Sequence, residues 1–102
     1  MDDETLKTYG YVISSSYREK SVKSLYESNK IPTDLAEDIG VRSNHISKVL
    51  HELKDCGVAE CINEEKRKNR IYRLTPKGED IAKYMKEWYF FMVVNFNWGD
   101  GQ

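Results

Sequence analysis

Several common signatures are scarce or missing from this chain. Cysteine is scarce: Cys56 and Cys61 are the only two. Their spacing matches no zinc site, and in a reducing compartment a disulfide is disfavoured. The expectation is two small buried packing residues, with a redox-sensing thiol as a weaker alternative. His51 and Cys56 lie five apart and His45 and His51 six apart, so neither pair shares a helix face, and no metal is expected. Long apolar runs are absent. The longest, Trp88 to Val94, falls far short of the roughly 20 residues that cross a bilayer. The opening MDDETLK is acidic and carries no apolar run, which predicts no signal peptide and a cytoplasmic protein. There is no phosphate-cradling glycine loop, no HExxH and no GxSxG. No catalytic constellation or cofactor site is visible, so the chain does not read as an enzyme.

Excess charge of one sign is also lacking: 16 basic side chains stand against 17 acidic ones, a net of −1. That balance alone argues against a polyanion partner, but its distribution is uneven. Residues 42–77 carry nine Lys/Arg and five Asp/Glu, a local +4, while residues 1–41 carry −3 and residues 78–102 carry −2. Local charge attracts phosphate, so the middle third remains a candidate polyanion surface. With 102 residues, 39% apolar and 32% charged, the chain suits one soluble domain with one modest core.

The most informative stretch runs from residue 33 to residue 75. Leu35 and Ile39 share a helix face beside the small Ala36. Thr33 is the predicted N-cap, Pro32 blocks an earlier helix from running through, and Gly40 ends the element. Ile46, Val49, Leu50 and Leu53 then form one apolar stripe over Ser43–Cys56, capped by Ser43 and stopped at Gly57. Opposite the stripe sit Asn44, Lys48, His51 and Asp55, flanked by His45, Ser47, Glu52 and Lys54. Two β-rich runs follow, VAECIN and RIYRLT, separated by EEKRKNR. Lys66, Arg67, Lys68 and Arg70 crowd that turn, with Asn69 as the turn residue. Short helix, longer helix and basic hairpin in this order describe a helix-turn-helix followed by a β wing, an arrangement suited to DNA. Asn pairs bidentately with adenine and Arg with guanine, Lys reaches phosphate or guanine, and a basic wing tip suits phosphate or the minor groove.

Residues Ile31 to Thr75 resemble the winged-helix core of ArsR- and MarR-type transcriptional regulators, especially the small single-domain forms common in archaea. The matching residues are Leu35, Ala36, Ile39, Gly40, Val41, Ile46, Ser47, Leu50, Leu53, Gly57 and Val58, then the wing and Leu74-Thr75-Pro76-Lys77-Gly78. The resemblance implies that the segment Arg42 to His51 and the wing tip touch double-stranded DNA, and that the terminal helices build a homodimer. Two departures limit it. The second helix has no cysteine before Cys56, unlike the best-known ArsR-type metal sensors, and the chain is shorter than MarR-type regulators. No metal or phenolic ligand follows from the resemblance, and any small-molecule effector is left unassigned.

The flanks are expected to hold the dimer. Ser16-Tyr17-Arg18-Glu19 has capping-box form and predicts a helix from Tyr17, with Val22, Leu25 and Tyr26 on its apolar face. Before it, Leu6, Tyr9, Tyr11, Val12 and Ile13 suggest a short helix leading into an edge strand. Beyond the wing, Thr75 caps and Pro76 opens a last helix carrying Ile81, Tyr84, Met85 and Trp88. The tail from Trp88 to Trp98 holds more apolar surface than a small core can cover. An intermolecular seam formed by Tyr9, Ile81, Tyr84, Trp88, Phe91 and Met92 is the favoured reading, over a tail folded back on its own core or docked on a membrane.

The expected fold is therefore α+β, mostly α: a winged helix-turn-helix with a two- or three-stranded wing and flanking terminal helices. It forms one domain over residues 1–102, with the core at 15–77 and a dimerisation helix or tail at 78–102. The expected function is that of a homodimeric, DNA-binding repressor. The candidate contacts are Arg42, Ser43, Asn44, His45, Ser47, Lys48, His51, Lys66, Arg67, Lys68 and Arg70. The alternative is a winged helix serving as a protein-interaction module in a larger assembly.

Overall fold

The computed structural model describes residues 2–100, except the side chains of residues 89, 90, 93 and 95–100. Five helices and one hairpin follow in order: α1 Asp3–Ile13, α2 Ser16–Glu27, α3 Pro32–Ile39, α4 Ser43–Asp55, β1 Ala59–Cys61, β2 Tyr72–Leu74 and α5 Pro76–Asp100. This is the mostly helical winged-helix architecture expected from the sequence.

The N-terminal segment differs from the expectation. α1 is capped by Asp2, whose carboxylate accepts from Thr5 N at 2.8 Å, and it continues helically through Ile13 with no edge strand. Tyr11-Val12-Ile13 is locally β-prone, but Val12 is fully buried and lies one turn from Tyr9, which packs against the same core. Tertiary burial overrides the local preference.

Three helix starts move by one or two residues. Ser15, not Ser16, caps α2, accepting from Arg18 N at 3.4 Å. α3 begins at Pro32 itself, with Ile31 at the N-cap and no side-chain cap, so Thr33 lies inside the helix. Proline is at home there because a first-turn N–H has no helical partner to lose. α4 begins at Ser43, with Arg42 at the N-cap and again no side-chain cap. Both predicted stops hold: Gly40 (φ 75°) and Gly57 (φ 78°) take the left-handed conformation that favours glycine.

α4 buries Ile46, Val49, Leu50 and Leu53 against α3, which supplies Leu35 and Ala36, and α2, which supplies Val22 and Leu25, while Ile81, Ala82 and Met85 of α5 join the same core from the side of α1, α2 and β2. These side chains form one continuous core. Strands β1 and β2 pair antiparallel with Ala59 opposite Leu74, Glu60 opposite Arg73 and Cys61 opposite Tyr72. They are three residues each, shorter than the six-residue runs suggested. One further bond, Ile62 N to Ile71 O at 2.9 Å, extends the pairing before the Asn63 side chain takes over from the backbone. A single bridge between Lys30 and Tyr72 adds a rudimentary third strand. At the start of α5, Thr75 Oγ1 accepts from Gly78 N at 3.1 Å, as the Thr-Pro pair predicted.

Candidate nucleic-acid interface

The surface of α4 sorts its polar residues by neighbour. Arg42, Ser43, Asn44, His45, Ser47, Lys48 and His51 are all exposed. The flank facing α2 is occupied: His45 lies 5.9 Å from the Tyr17 ring, centroid to centroid, and Glu52 pairs with Arg18 at 3.3 Å. Asn44 and Lys48, one turn apart, share the outward face. His51 extends that face, but its Nε2 sits 3.2 Å from Asp55 Oδ2, which places a carboxylate at the C-terminal end of the row. An acidic group there disfavours phosphate, so the N-terminal half of α4 is the half suited to nucleic acid.

Ser47 faces the other flank. With Thr33 of α3 and Arg67, Lys68, Asn69 and Arg70 of the wing it lines a cleft of about 430 Å³ between helix and wing. The sequence suggested both components, but not that Thr33 would join them. The Ser47 hydroxyl donates to Ser43 O at 3.2 Å and keeps its lone pairs for an incoming donor.

The wing loop is held by its own hydrogen bonds. Asn63 Oδ1 accepts from Ile71 N at 2.7 Å and Asn63 Nδ2 donates to Asn69 O at 3.2 Å, so one amide spans the loop's base. Asn69 turns the chain at φ 57°. Arg70 differs from its neighbours: its Nε donates to Lys66 O at 2.7 Å and its Nη2 to Glu64 O at 3.2 Å. Arg70 therefore braces the loop, whereas the sequence grouped it with the contact cations. Lys54 of α4 meets Glu64 at 2.6 Å, which raises the lysine pKa and lowers that of the carboxyl, in both cases through the hydrogen bond first and the charge second.

The cations of residues 42–77, together with Arg18, separate into two groups. Arg18, Lys54, Arg70, Arg73 and Lys77 have protein partners. Arg42, Lys48, Lys66, Arg67 and Lys68 are exposed, and their side chains have no hydrogen-bond or ion-pair partner among the described residues. Within residues 42–77 the uncommitted cations therefore lie at the start and middle of α4 and at the wing tip; Lys7, Lys20, Lys83 and Lys86, on α1, α2 and α5, are exposed as well.

The predicted dimer residues divide as well. Trp88, Phe91 and Met92 are exposed, at 50%, 55% and 54%, as is Tyr84 at 39%. Trp88 and Phe91 stack with centroids 5.5 Å apart. Tyr9 packs edge-on against Tyr84 at 4.9 Å, and burial raises its phenol pKa. Ile81 does not fit the proposed seam: it is fully buried in the core of the single chain. Its neighbours Ala82 and Met85 are buried too, so one face of this turn of α5 closes the core while Tyr84 begins the exposed stripe on another. The helix continues past Met85, and its described tail side chains Trp88, Phe91, Met92 and Val94 are exposed. The predicted tail residues 89, 90, 93 and 95–98 have side chains outside those described.

Cys56 and Cys61 are both half-buried and free; burial raises the Cys56 thiol pKa, which disfavours its reactive thiolate form. Among the described residues no group of three His, Cys, Asp or Glu could hold a metal ion, and no helix is long and apolar enough to cross a membrane.

No family model matches the chain, and no curated protein does. Solved structures do. A MarR-family transcriptional regulator from Enterococcus faecalis V583 superposes with a TM-score of 0.82 at 15% identity, covering 100% of this chain and 96% of that one. The transcriptional repressor BigR from Xylella fastidiosa gives 0.73 at 23% identity, covering 84% of each chain. Streptococcus pneumoniae FabT, solved in complex with DNA, gives 0.69 at 21% identity, covering 80% of this chain. The chain spans only 57% of FabT, and a little over half of several other regulators it matches. At these identities the likeness is one of fold: the chain has the winged helix-turn-helix architecture found in these regulators.

Proposed function

We propose that this chain is a sequence-specific double-stranded DNA-binding transcriptional regulator of the small ArsR/MarR-like kind. In this reading it is a cytoplasmic homodimer that represses by occupying promoter DNA. The observation that carries the reading is the cleft between α4 and the wing, lined by Ser47, Arg67 and Lys68, together with the uncommitted cations Arg42 at the α4 N-cap, Lys48 on the outward face and Lys66 in the wing loop. Asn44, Ser47 and Lys48 read base edges in the major groove, with His51 at the end of the row. Arg42, Ser43 and His45 lie at the groove edge. Lys66, Arg67 and Lys68 hold phosphate or the minor groove, and Arg70 keeps them in place. The exposed stripe Tyr84, Trp88, Phe91 and Met92, with Tyr9 beside it, supplies the dimer seam, so that two α4 helices address two half-sites. The solved complex of FabT with DNA and the repressor BigR, both of this fold, support the reading.

The exposed α5 stripe also favours a second reading, a protein-interaction module in a larger assembly. One measurement separates the two. Titrate the full chain against a duplex of its gene's upstream region and against a scrambled duplex, at low and moderate salt. Preference for the upstream duplex with strong salt dependence supports the regulator. Absence of binding to either duplex at low salt removes it in favour of the interaction module.

A further inference from the structure

We propose that Arg18 is a positioning residue that fixes the last turn of α4 to the end of α1 and so sets the spacing at which a dimer presents its two reading helices; this rests on the DNA-binding reading above. Arg18 lies in the first turn of α2, with a side chain only 12% exposed. Its Nε and Nη2 both donate to the Tyr11 carbonyl, at 2.9 and 2.7 Å, and Nη2 also donates to Ser14 Oγ at 2.8 Å. Nη1 donates to Glu52 Oε1 at 3.3 Å, and the guanidinium lies 3.9 Å above the Tyr11 ring centroid.

Each partner belongs to a different part of the molecule. Tyr11 is in the last turn of α1, where carbonyls lack helical partners and the helix dipole is negative, and that turn has no basic residue of its own. Arg18 supplies the missing cation from the next helix. Glu52 is on the α2-facing flank of α4, two turns beyond His45, which meets the ring of Tyr17, the neighbour of Arg18. α4 is thus held along one flank at two levels while Asn44 and Lys48 stay outward.

A planar guanidinium bonded on several sides and stacked on a ring does not pivot, and lysine does not reproduce that geometry. α1 also carries exposed Leu6 and Ile13, and Tyr9 packs on Tyr84 of the proposed seam. Arg18 therefore joins the helix that borders the dimer seam to the helix that reads DNA. A partly exposed ion pair contributes little to stability, so the expected effect of losing it is on geometry.

The test uses full-length wild type, Arg18→Gln, Arg18→Lys and Glu52→Gln. The probes are palindromic duplexes built from the upstream half-site, with centres about one helical turn apart or shifted by roughly one or two base pairs. The wild type is expected to prefer one spacing sharply. Arg18→Gln and Glu52→Gln are expected to lose about tenfold at that spacing, roughly 1.4 kcal/mol, and to level the preference. Arg18→Lys is expected to level it as well, while melting temperature and dimer mass stay near wild type. Glu52 is partly exposed, so its amide variant keeps the test decisive even where Arg18→Gln does not fold. A folded Glu52→Gln protein with the wild-type spacing preference overturns the inference, as does a wild type indifferent to spacing. A wild type that binds no duplex removes the DNA-binding reading itself, and the inference with it.

Discussion

Lys54 Nζ lies 2.6 Å from Glu64 Oε1, tying the last turn of α4 to the start of the wing loop. Because the Glu64 pKa is lowered from its ordinary 4.5, the pair favours the ordered wing above that pH, and the contribution is lost as pH falls through the lower folded value. The Lys54 pKa is raised from 10.5, so its contribution is present below that pH and lost as pH rises through the higher folded value. Wing order should therefore be greatest between the two limits and weaken at either extreme, modestly, because both groups are exposed and screened by salt. Backbone relaxation of residues 64–70 across pH checks this. Order that stays constant in the wild type through acidification, or that falls equally in Glu64→Gln, would sink it.

Two glycines should respond in opposite directions to alanine. A Cβ at Gly78 would lie 2.1 Å from the Val58 carbonyl oxygen and 3.0 Å from its carbon, so α5 or the backbone at Val58, just before β1, must shift. Gly78→Ala should cost about 1–3 kcal/mol, as overpacking does. Gly10, inside α1 with nothing within 4 Å of its would-be Cβ, should gain about 0.5–1 kcal/mol from the same change. Chemical denaturation of both variants decides; a Gly78→Ala midpoint at or above wild type would refute the close approach of α5 to Val58.

Much of this fold was legible because its signals are local. Ile46, Val49, Leu50 and Leu53 recur at helical spacing and are all buried; Gly40, Gly57 and Asn69 all take positive φ where turns were expected. Caps were less legible. Ser15 and Ser16 are chemically alike, so residue type does not choose between them, and α3 and α4 start after Ile31 and Arg42 with no side-chain cap for the sequence to signal. Contacts distant in sequence left no trace. Arg18 and Glu52 are 34 residues apart, and nothing around either marks the other. Asn63 looked like the end of a strand, yet its side chain replaces backbone pairing and shortens the sheet. Of the candidate DNA contacts, exposure follows from the stripe opposite, whereas the bracing role of Arg70 needs the loop geometry.

Asn44 and Lys48 sit one turn apart on the outward face of α4 but should behave differently. Asn44→Ala is expected to lose about 1–3 kcal/mol of specific binding and to relax preference at one base pair. Lys48→Ala should weaken binding to specific and scrambled duplexes alike, as loss of a phosphate contact does. Competition titrations with single-base operator variants check both. An Asn44→Ala protein with wild-type discrimination at every position would rule out base reading by this residue.

The wing should announce itself in salt dependence. Lys66, Arg67 and Lys68 are exposed without protein partners among the described residues, so neutralising all three should flatten the slope of log K against log salt by about 0.9 per lost phosphate contact. Arg70→Ala should act by another route. Its guanidinium holds Lys66 O and Glu64 O, so its loss should loosen the loop and weaken binding with a smaller change in slope. Equal slopes for wild type and the triple variant would mean that the wing does not touch DNA.

Burial along α5 stops at Met85 among the described side chains, and Trp88, Phe91, Met92 and Val94 are each about half exposed. A side chain of this size gains roughly 1.5–3 kcal/mol on full burial, so several on one helix favour association strongly. A second copy is the economical partner, because a two-fold pair also presents two α4 helices and two wings to one duplex. Since the core closes at Ile81, Ala82 and Met85, truncation after Lys86 should leave the domain folded by circular dichroism. It should also leave it monomeric or prone to aggregate, with much weaker DNA binding. Trp88→Ala with Phe91→Ala in the full chain should move the self-association constant in the same direction. Sedimentation equilibrium is the measurement: a full-length monomer at tens of micromolar would refute the dimer and leave the α5 stripe to a different partner.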